Sequence, residues 1–143
     1  MTRNELLSRY TAGERDFQGA DLRGLNLTGV NLAWVDLTGA SLVRANLAEA
    51  NLDSAILTRA SLYQANLTGL YLVDTNLAGA NLSEANLTGA CLALANLTDA
   101  NMTGANMTGA NFTEANLTGA SLNKANITGA ILTGAILPEG VKP

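Results

Sequence analysis

Few side chains of this 143-residue sequence could do chemistry, and they do not form a set that works together. The sequence has no histidine, which is the commonest general base and the commonest metal ligand. Its single thiol, Cys91, has no cationic residue at the neighbouring repeat positions that would activate it as a nucleophile. We therefore expect a protein that is not an enzyme, acts on no small-molecule substrate, and holds neither a metal nor another cofactor.

The charged side chains are mildly acidic in sum and mixed in sign along the chain. Twelve acidic and eight basic residues give a net charge of −4. A protein that binds nucleic acid directly needs an excess of Lys and Arg to contact phosphates, and this sequence has no such excess. Arg23, Arg44, Arg59 and Lys124 are interspersed with the acids, which argues against a continuous acidic surface. We expect no direct nucleic-acid partner.

No stretch of the sequence predicts a membrane span or a secretory signal. A spanning helix needs about 20 consecutive apolar residues, and no run here approaches that length. The first residues, MTRNELLSRYTAG, contain no continuous apolar segment of the kind that a signal peptide has. We expect no membrane partner and a cytoplasmic location.

The apolar residues follow a five-residue period that continues in register from Phe17 to Leu137. The period is clearest from Ala95 to Gly119, which reads ANLTD ANMTG ANMTG ANFTE ANLTG. Neither the 3.6-residue period of a helix nor the two-residue period of a strand explains it. Because extended residues alternate sides, the large residue and the alanine two places before it face inward, and the asparagine and threonine face outward. Each unit is therefore predicted to be one short extended side followed by a corner.

Four such units make a square coil of 20 residues, in which residue n lies next to residue n+20 of the following coil. The 25 units predict about six stacked coils joined by parallel backbone hydrogen bonds. Position five of the unit is glycine in 12 cases, which suits a corner with positive φ. Where position five is bulky, as at Trp34, Arg44, Glu49 and Leu94, we expect a turn without positive φ, because a side chain resists that conformation.

The residues before the repeat predict a helical cap on the open end of the first coil. The helix is predicted over residues 3–11, with Thr2 or Asn4 as its N-cap and Gly13 as its stop. Its apolar face consists of Leu6, Leu7 and Tyr10. The usual inward alanine is replaced early in the repeat, which predicts a first coil that is wider or differently turned. These early replacements are Leu25, Val30 and Val35.

Three segments follow from these patterns. Residues 1–14 form the capping segment, residues 15–139 the repeat and residues 140–143 a short tail. Pro138 removes a backbone N–H and ends strand pairing. Because the tail is too short for a second helix, the C-terminal end of the coil stack is expected to be partly open.

The units A-[D/N]-L-x-x, as in Ala80-Asn81-Leu82, resemble those of the pentapeptide-repeat family. The resemblance covers residues 15–139 and implies that family's all-β fold, a right-handed quadrilateral parallel β-helix. The run from Leu6 to Leu22 is similar to the N-terminal segment of many cyanobacterial members. Some members mimic duplex DNA and bind type II topoisomerases, and another regulates cell differentiation through a partner protein. The resemblance by itself therefore selects no single function.

One predicted side of the coil departs from the polar outward pattern. Its central residues are Leu32, Leu52, Leu72, Leu92, Phe112 and Leu132. On this side Tyr71, Cys91 and Ile131 replace the usual outward Asn or Asp. The neighbouring side, centred on Leu27 through Ile127, carries only Asn, Thr, Ala, Gly and Glu49 outward. The candidate interaction patch consists of Trp34, Tyr71, Val73, Cys91 and Leu94.

The patch leads to a functional hypothesis with alternatives. Stacked apolar residues at outward positions favour a non-enzymatic scaffold that binds another protein or a copy of itself. The structural alternative is that these side chains lie flat on the coil and only stabilise it. The functional alternative, which the resemblance implies for some members, is a DNA mimic that binds a type II topoisomerase such as gyrase.

Overall fold

The polypeptide winds into stacked square coils in which residues 20 apart in sequence are paired. The computed structural model describes residues 1–143. Parallel one-residue bridges join each coil to the next, from Asp16–Asp36 at the first coil to Asn116–Ile136 at the last. No longer strand occurs, because each side of the square has room for one bridged residue between corners. The predicted quadrilateral parallel β-helix and its 20-residue register are confirmed.

Four faces run along the stack, and we number them in chain order by their central inward residues. Face 1 runs from Phe17 to Leu137, face 2 from Leu22 to Leu122, face 3 from Leu27 to Ile127 and face 4 from Leu32 to Leu132. In each row an outward residue precedes and follows the central one, and a corner residue comes next. Rows on one face are about 4.8 Å apart, so the whole stack is about 29 Å long.

The core is a single column of leucine and alanine. Central residues such as Leu47, Leu67 and Leu87 are fully buried, and so are inner alanines such as Ala60 and Ala80. Burial of each leucine stabilises the fold by about 2 kcal/mol. The inner position lies beside the corner, where there is room for a methyl group but seldom for more. The interior is therefore filled by side chains and contains no cleft.

A regular ladder of backbone hydrogen bonds joins the coils. The N–H of Leu82 donates to the carbonyl of Asn101 at 2.7 Å, and the N–H of Glu84 donates to Thr103 at 2.9 Å. A third bond runs the other way, from the N–H of Asn101 to the carbonyl of Ala80 at 2.9 Å. Because the corner residue takes part in this ladder, its backbone conformation is set by the neighbouring coil.

The prediction for bulky corners is wrong. Trp34, Arg44, Glu49 and Leu94 adopt φ between 58° and 66°, the left-handed region that glycine occupies at other corners. The same holds for the other non-glycine corners, which are Ser54, Arg59, Gln64, Asp74, Glu84, Asp99, Glu114 and Lys124. The left-handed conformation costs a residue with a side chain about 1 kcal/mol. The ladder outweighs this cost at all of these corners except Lys124, in the last coil, because a different turn would move the corner N–H away from its acceptor in the next coil.

The N-terminal helix, α1, spans Arg3–Thr11 and covers the first coil. Thr2 is the N-cap, since its hydroxyl accepts the N–H of Glu5 at 3.1 Å. Leu6 is fully buried in the core of the coils. The hydroxyl of Tyr10 donates to the carbonyl of Ala33 at 2.9 Å. The predicted cap helix is therefore present and is attached to the coils by both apolar and polar contacts.

The first coil has slightly longer turn hydrogen bonds than the later coils, but its turns are of the same kind. The turn bonds that the N–H groups of Leu25 and Val30 donate measure 3.3 Å, compared with 3.0 Å for that of Ala60. The corner glycines, Gly24 and Gly29, have the usual positive φ. The larger inner residues beneath α1 thus accompany longer turn hydrogen bonds but do not produce a different turn, so the prediction of differently turned corners is wrong.

The C-terminal end of the stack is open. Central residues of the last coil, such as Leu122, Ile127 and Leu132, are only half-buried, whereas their counterparts one coil earlier are fully buried. Val141 folds back toward this end and lines a small apolar pocket with them. The 9-residue α1 is the only helix, and it lacks the length and apolar content to cross a membrane.

Candidate protein-binding face

Four of the five predicted patch residues lie together on face 4. Tyr71 and Cys91 face outward in successive rows and are joined by a parallel bridge. Val73 follows in the row of Tyr71, and Leu94 is the corner residue of the row of Cys91. Tyr71 is 51% exposed and Leu94 is 52% exposed, and the other two are half-buried beside them. We call Tyr71, Val73, Cys91 and Leu94 the apolar patch.

Trp34, the fifth predicted residue, lies apart from the apolar patch. It is the corner residue of the first row of face 4, three rows and therefore about 14 Å from Leu94 along the stack. One polar row separates it from the patch, and this row presents Asn51, Asp53 and Ser54. Trp34 is 70% exposed, and its neighbour Ala33 contacts Tyr10 of α1. Trp34 thus belongs to the capped end of the stack.

On face 3 the outward side chains hydrogen-bond to one another in five of the six rows, the exception being the row of Asn46 and Ala48. The Oδ1 atom of Asn86 accepts the N–H of Thr88 at 3.0 Å and its hydroxyl at 2.6 Å. The same pair of bonds recurs at Asn26, Asn66, Asn106 and Asn126. Such local side-chain-to-backbone bonds satisfy the backbone group that follows the bridge. Face 3 therefore presents a repeating polar surface that is internally satisfied.

Face 4 loses these bonds where the apolar patch begins. In the row of Tyr71, the N–H of Val73 donates instead to Oδ1 of Asp53, one coil earlier, at 2.8 Å. In the row of Cys91, the N–H of Ala93 has no acceptor within the protein. The row of Cys91 therefore lacks a hydrogen bond that the asparagine rows have, as do the rows of Ser41 and Ser61 on face 2.

Large corner residues are supported on face 2 but not on face 4. At the corner of face 2, Arg44 donates to Gln64 at 2.8 Å and Gln64 donates to Glu84 at 2.7 Å, so their side chains hold one another. At the corner of face 4, Trp34 and Leu94 have φ of 66° and 61° and expose most or half of their surface. The ladder bonds of the Trp34 and Leu94 N–H groups offset the backbone strain, but the two side chains have no supporting contact of the kind seen on face 2. An exposed apolar side chain on a strained backbone is a reason to look for a function outside the chain.

The charges of the coils are divided unequally between two halves of the rod. Faces 1 and 2 with their corners carry both signs, including all the basic residues of the coils, Arg15, Arg23, Arg44, Arg59 and Lys124. Faces 3 and 4 with their corners carry no basic residue. Their charged residues are Glu49, Asp53, Asp74 and Glu114. The other eight acidic residues are balanced by the eight basic ones, so these four carboxylates account for the net charge of −4.

The carboxylates around the apolar patch have no cationic partner. The two salt bridges of the protein, Arg9–Glu14 at 2.6 Å and Arg23–Asp21 at 2.7 Å, both lie elsewhere. In the second, side-chain hydrogen bonds from Arg23 hold the pKa of Asp21 well below its ordinary value. Asp53, Asp74 and Glu114 lack such a neighbour, so their negative charge is directed to the solvent or to a partner.

The arrangement of side chains gives little support to a metal site, a reactive thiol or a polar pocket. No three His, Cys, Asp or Glu residues are grouped as metal ligands would be. Cys91 is a free, half-buried thiol. The one pocket lies at the open C-terminal end, and its lining is entirely apolar. A surface is therefore the candidate site, and a cleft is not.

The sequence analysis identified the apolar residues of face 4 but missed the carboxylates around them. In linear order, Asp53, Asp74 and Glu114 are three of twelve scattered acidic residues. Sorting the acids by the 20-residue register would have placed all three on face 4 or its corner. The grouping of these carboxylates can be read from the sequence, but only by comparing residues 20 apart and not from a local motif.

The comparisons with known proteins agree with this architecture. A family model for pentapeptide repeats matches in eight copies, over residues 16–53, 31–69, 60–99 and 95–134. No curated protein matches the chain. Among solved structures, the chain is similar to alr5209, a pentapeptide repeat protein from Nostoc PCC 7120, at 30% identity over 99% of this chain and 88% of that one, with a TM-score of 0.63.

Two further cyanobacterial structures are similar. Rfr23 from Cyanothece 51142 is 32% identical over 96% of this chain and 95% of that one, with a TM-score of 0.55. HetL from Nostoc sp. strain PCC 7120, described as involved in heterocyst differentiation regulation, is 26% identical over 100% of both chains, with a TM-score of 0.47.

Proposed function

The chain belongs to the pentapeptide-repeat family, whose members fold as right-handed quadrilateral β-helices, and we propose that it is a rigid, non-enzymatic scaffold whose face 4 binds another protein. One observation carries the proposal. Leu94 is a large apolar residue that is held at positive φ with half of its surface exposed. Its N–H donates to the carbonyl of Thr113 at 2.9 Å, as a glycine N–H would at the same corner, so the exposed leucine side chain itself adds strain without a hydrogen bond or full burial in return. A contact outside the chain accounts for this side chain best.

The neighbours of Leu94 support the same interpretation. Tyr71 and Cys91 replace residues that elsewhere satisfy the following N–H, and the patch is continuous over two rows. Exposed aromatic and aliphatic residues in one cluster are typical anchors of protein interfaces. A rigid coil holds them in place before binding, which reduces the entropy that association loses.

The DNA-mimic alternative requires a charge density that faces 3 and 4 do not have. Duplex DNA carries one negative charge per about 1.7 Å of its axis, which amounts to about 17 charges over the length of this stack. The acidic half carries four carboxylates. A gyrase supercoiling assay tests this alternative, and we expect no inhibition at micromolar concentrations of the protein.

The experiment that tests the proposal uses three baits in an affinity capture from the lysate of the native host. The baits are the wild-type protein, Leu94→Gly and Arg59→Gly. Both substitutions place glycine at a corner that already has positive φ, so neither one should unfold the coil. We expect a protein that wild type and Arg59→Gly retain and that Leu94→Gly loses. Equal capture by all three baits would exclude the apolar patch as the binding site.

A second copy of the chain is a specific case of this proposal. Light scattering of wild type and Leu94→Gly over a range of concentrations distinguishes it from binding to another protein. Association that depends on concentration in wild type and disappears in Leu94→Gly would identify the partner as the protein itself.

A further inference from the structure

We propose that the apolar patch takes a short, basic segment of a partner protein, in which one or two apolar side chains are flanked by Lys or Arg. This inference rests on the proposed function and specifies the partner's chemistry. It follows from the charges around the patch, from the size of the patch and from its open side.

The charges around the patch are of one sign. Leu94 lies between Asp74 and Glu114 along the corner, one row from each. Asp53 lies one row from Val73 and uses Oδ1 for the Val73 N–H, which leaves Oδ2 without a partner in the protein. An apolar side chain that docks beside Leu94 therefore approaches with carboxylates on both sides. Lys or Arg next to that side chain would be attracted, and Asp or Glu would be repelled.

The size of the patch favours a short segment over a second folded surface. It is two rows high, about 10 Å, and one face wide. Polar rows bound it on both sides, at Asn51 and at Asn111. A stable interface between folded proteins buries about 800 Å² on each partner, which is several times what two rows can offer. A segment of a few residues matches the patch without leaving a large unmatched surface.

The far edge of the patch is open and allows an extended segment to cross it. The corner between faces 3 and 4 is formed there by Gly69 and Gly89, which have no side chains. Space beside Gly89 is free, since an added Cβ would meet nothing within 4 Å, whereas beside Gly69 it would meet the side chain of Glu49 at 3.5 Å. A segment can therefore enter over the glycines, place an apolar residue on Tyr71 and Cys91, and end at the acidic corner that contains Leu94.

Cys91 provides a reporter for this site, because it is the only thiol and lies within the patch. The probes are three capped pentapeptides, each with a central leucine between two pairs of Lys, two pairs of Ser or two pairs of Glu. The measurement is the rate at which iodoacetamide alkylates Cys91 with millimolar peptide, at low and at high salt. A matched reporter, Cys91→Ser combined with Ser61→Cys, places the thiol at the equivalent outward position of face 2.

We expect the Lys peptide to slow alkylation of Cys91 at least threefold at low salt, and less at high salt, because salt screens exposed charges. The Ser peptide should protect weakly and the Glu peptide should give no protection. The triple variant Asp53→Asn, Asp74→Asn, Glu114→Gln should lose the advantage of the Lys peptide over the Ser peptide. Protection should be lost in Leu94→Gly and be missing at the Ser61→Cys reporter.

Three results would overturn the inference. Equal protection by the Lys and Ser peptides at both salt concentrations would remove the role of charge, while a partner that depends on Leu94 would still support the proposed function. Equal protection at the Ser61→Cys reporter would show that the peptide binds without preference for face 4. No protection by any peptide would exclude a short basic segment as the partner.

Discussion

Faces 3 and 4 are neighbours on the same coil, share one core and one backbone ladder, and differ most in what they present outward. On face 3, asparagine and threonine satisfy each other in row after row, as at Asn86 and Thr88. On face 4, Tyr71 and Cys91 interrupt that pattern, and Leu94 occupies a corner that glycine would fill with less strain. The inward residues therefore determine the coil, and the outward residues can vary without changing it.

The largest expected effect is a loss of stability on removing a central leucine, and it should be similar on the two faces because this leucine is buried on both. Leu67 of face 3 and Leu72 of face 4 are both buried. Leu67→Ala and Leu72→Ala should each lower the free energy of unfolding by about 3 kcal/mol, through lost burial and the cavity that remains. Urea denaturation measures both. A loss at Leu72 that is smaller by more than about 1 kcal/mol would mean that face 4 is loosely packed and that the comparison fails.

The next effect belongs to face 3 alone. Asn86→Ala removes the acceptor of two hydrogen bonds from Thr88 and should cost about 1 kcal/mol of unfolding free energy. Cys91→Ala, at the equivalent position of face 4, removes no hydrogen-bond acceptor that the protein uses and should cost less than half as much. The two variants can be compared in one denaturation series. Equal losses would show that the asparagine bonds contribute nothing special to face 3.

The smallest effect comes from exchanging the corner residues of the two faces. Gly89→Leu introduces a side chain at φ 67° with free space around it, so it should cost about 1 kcal/mol from backbone strain alone. Leu94→Gly removes such a strain at φ 61°, which is worth about 1 kcal/mol. Because glycine loses more backbone entropy on folding, the net stabilisation of the coil should be about 0.5 kcal/mol. Thermal unfolding of both variants measures the pair. Destabilisation by Leu94→Gly would indicate that this side chain supports the rod.

Much of the fold could be predicted from the sequence because one short period accounts for nearly every residue. The five-residue spacing determines which side chains face inward, and Leu6, Leu7 and Tyr10 identify the cap. The corner conformation could not be predicted at Trp34 or Glu84, since the intrinsic preference of a side chain is opposed there by a hydrogen bond to the next coil. That bond joins residues about 20 positions apart, which no local rule takes into account.

The candidate site could be predicted in part for a similar reason. The register placed Tyr71, Val73, Cys91 and Leu94 on one face, and the structure shows them side by side. Membership of a face says nothing about distance along the stack, so Trp34 was grouped with residues about 14 Å away. The role of Asp53, whose carboxylate accepts an N–H from the next coil, depends on contacts between rows and became visible only in three dimensions.

The most direct test of the central claim gives face 4 the outward pattern of face 3. The variant combines Tyr71→Asn, Cys91→Asn and Leu94→Gly, and its free energy of unfolding is measured together with its affinity for the captured partner. We predict that it unfolds at the same urea concentration as wild type or a higher one, and that it binds the partner at least tenfold more weakly. A variant that is less stable by about 1 kcal/mol or more and binds with unchanged affinity would contradict the account, because the apolar residues would then serve the rod and not a partner.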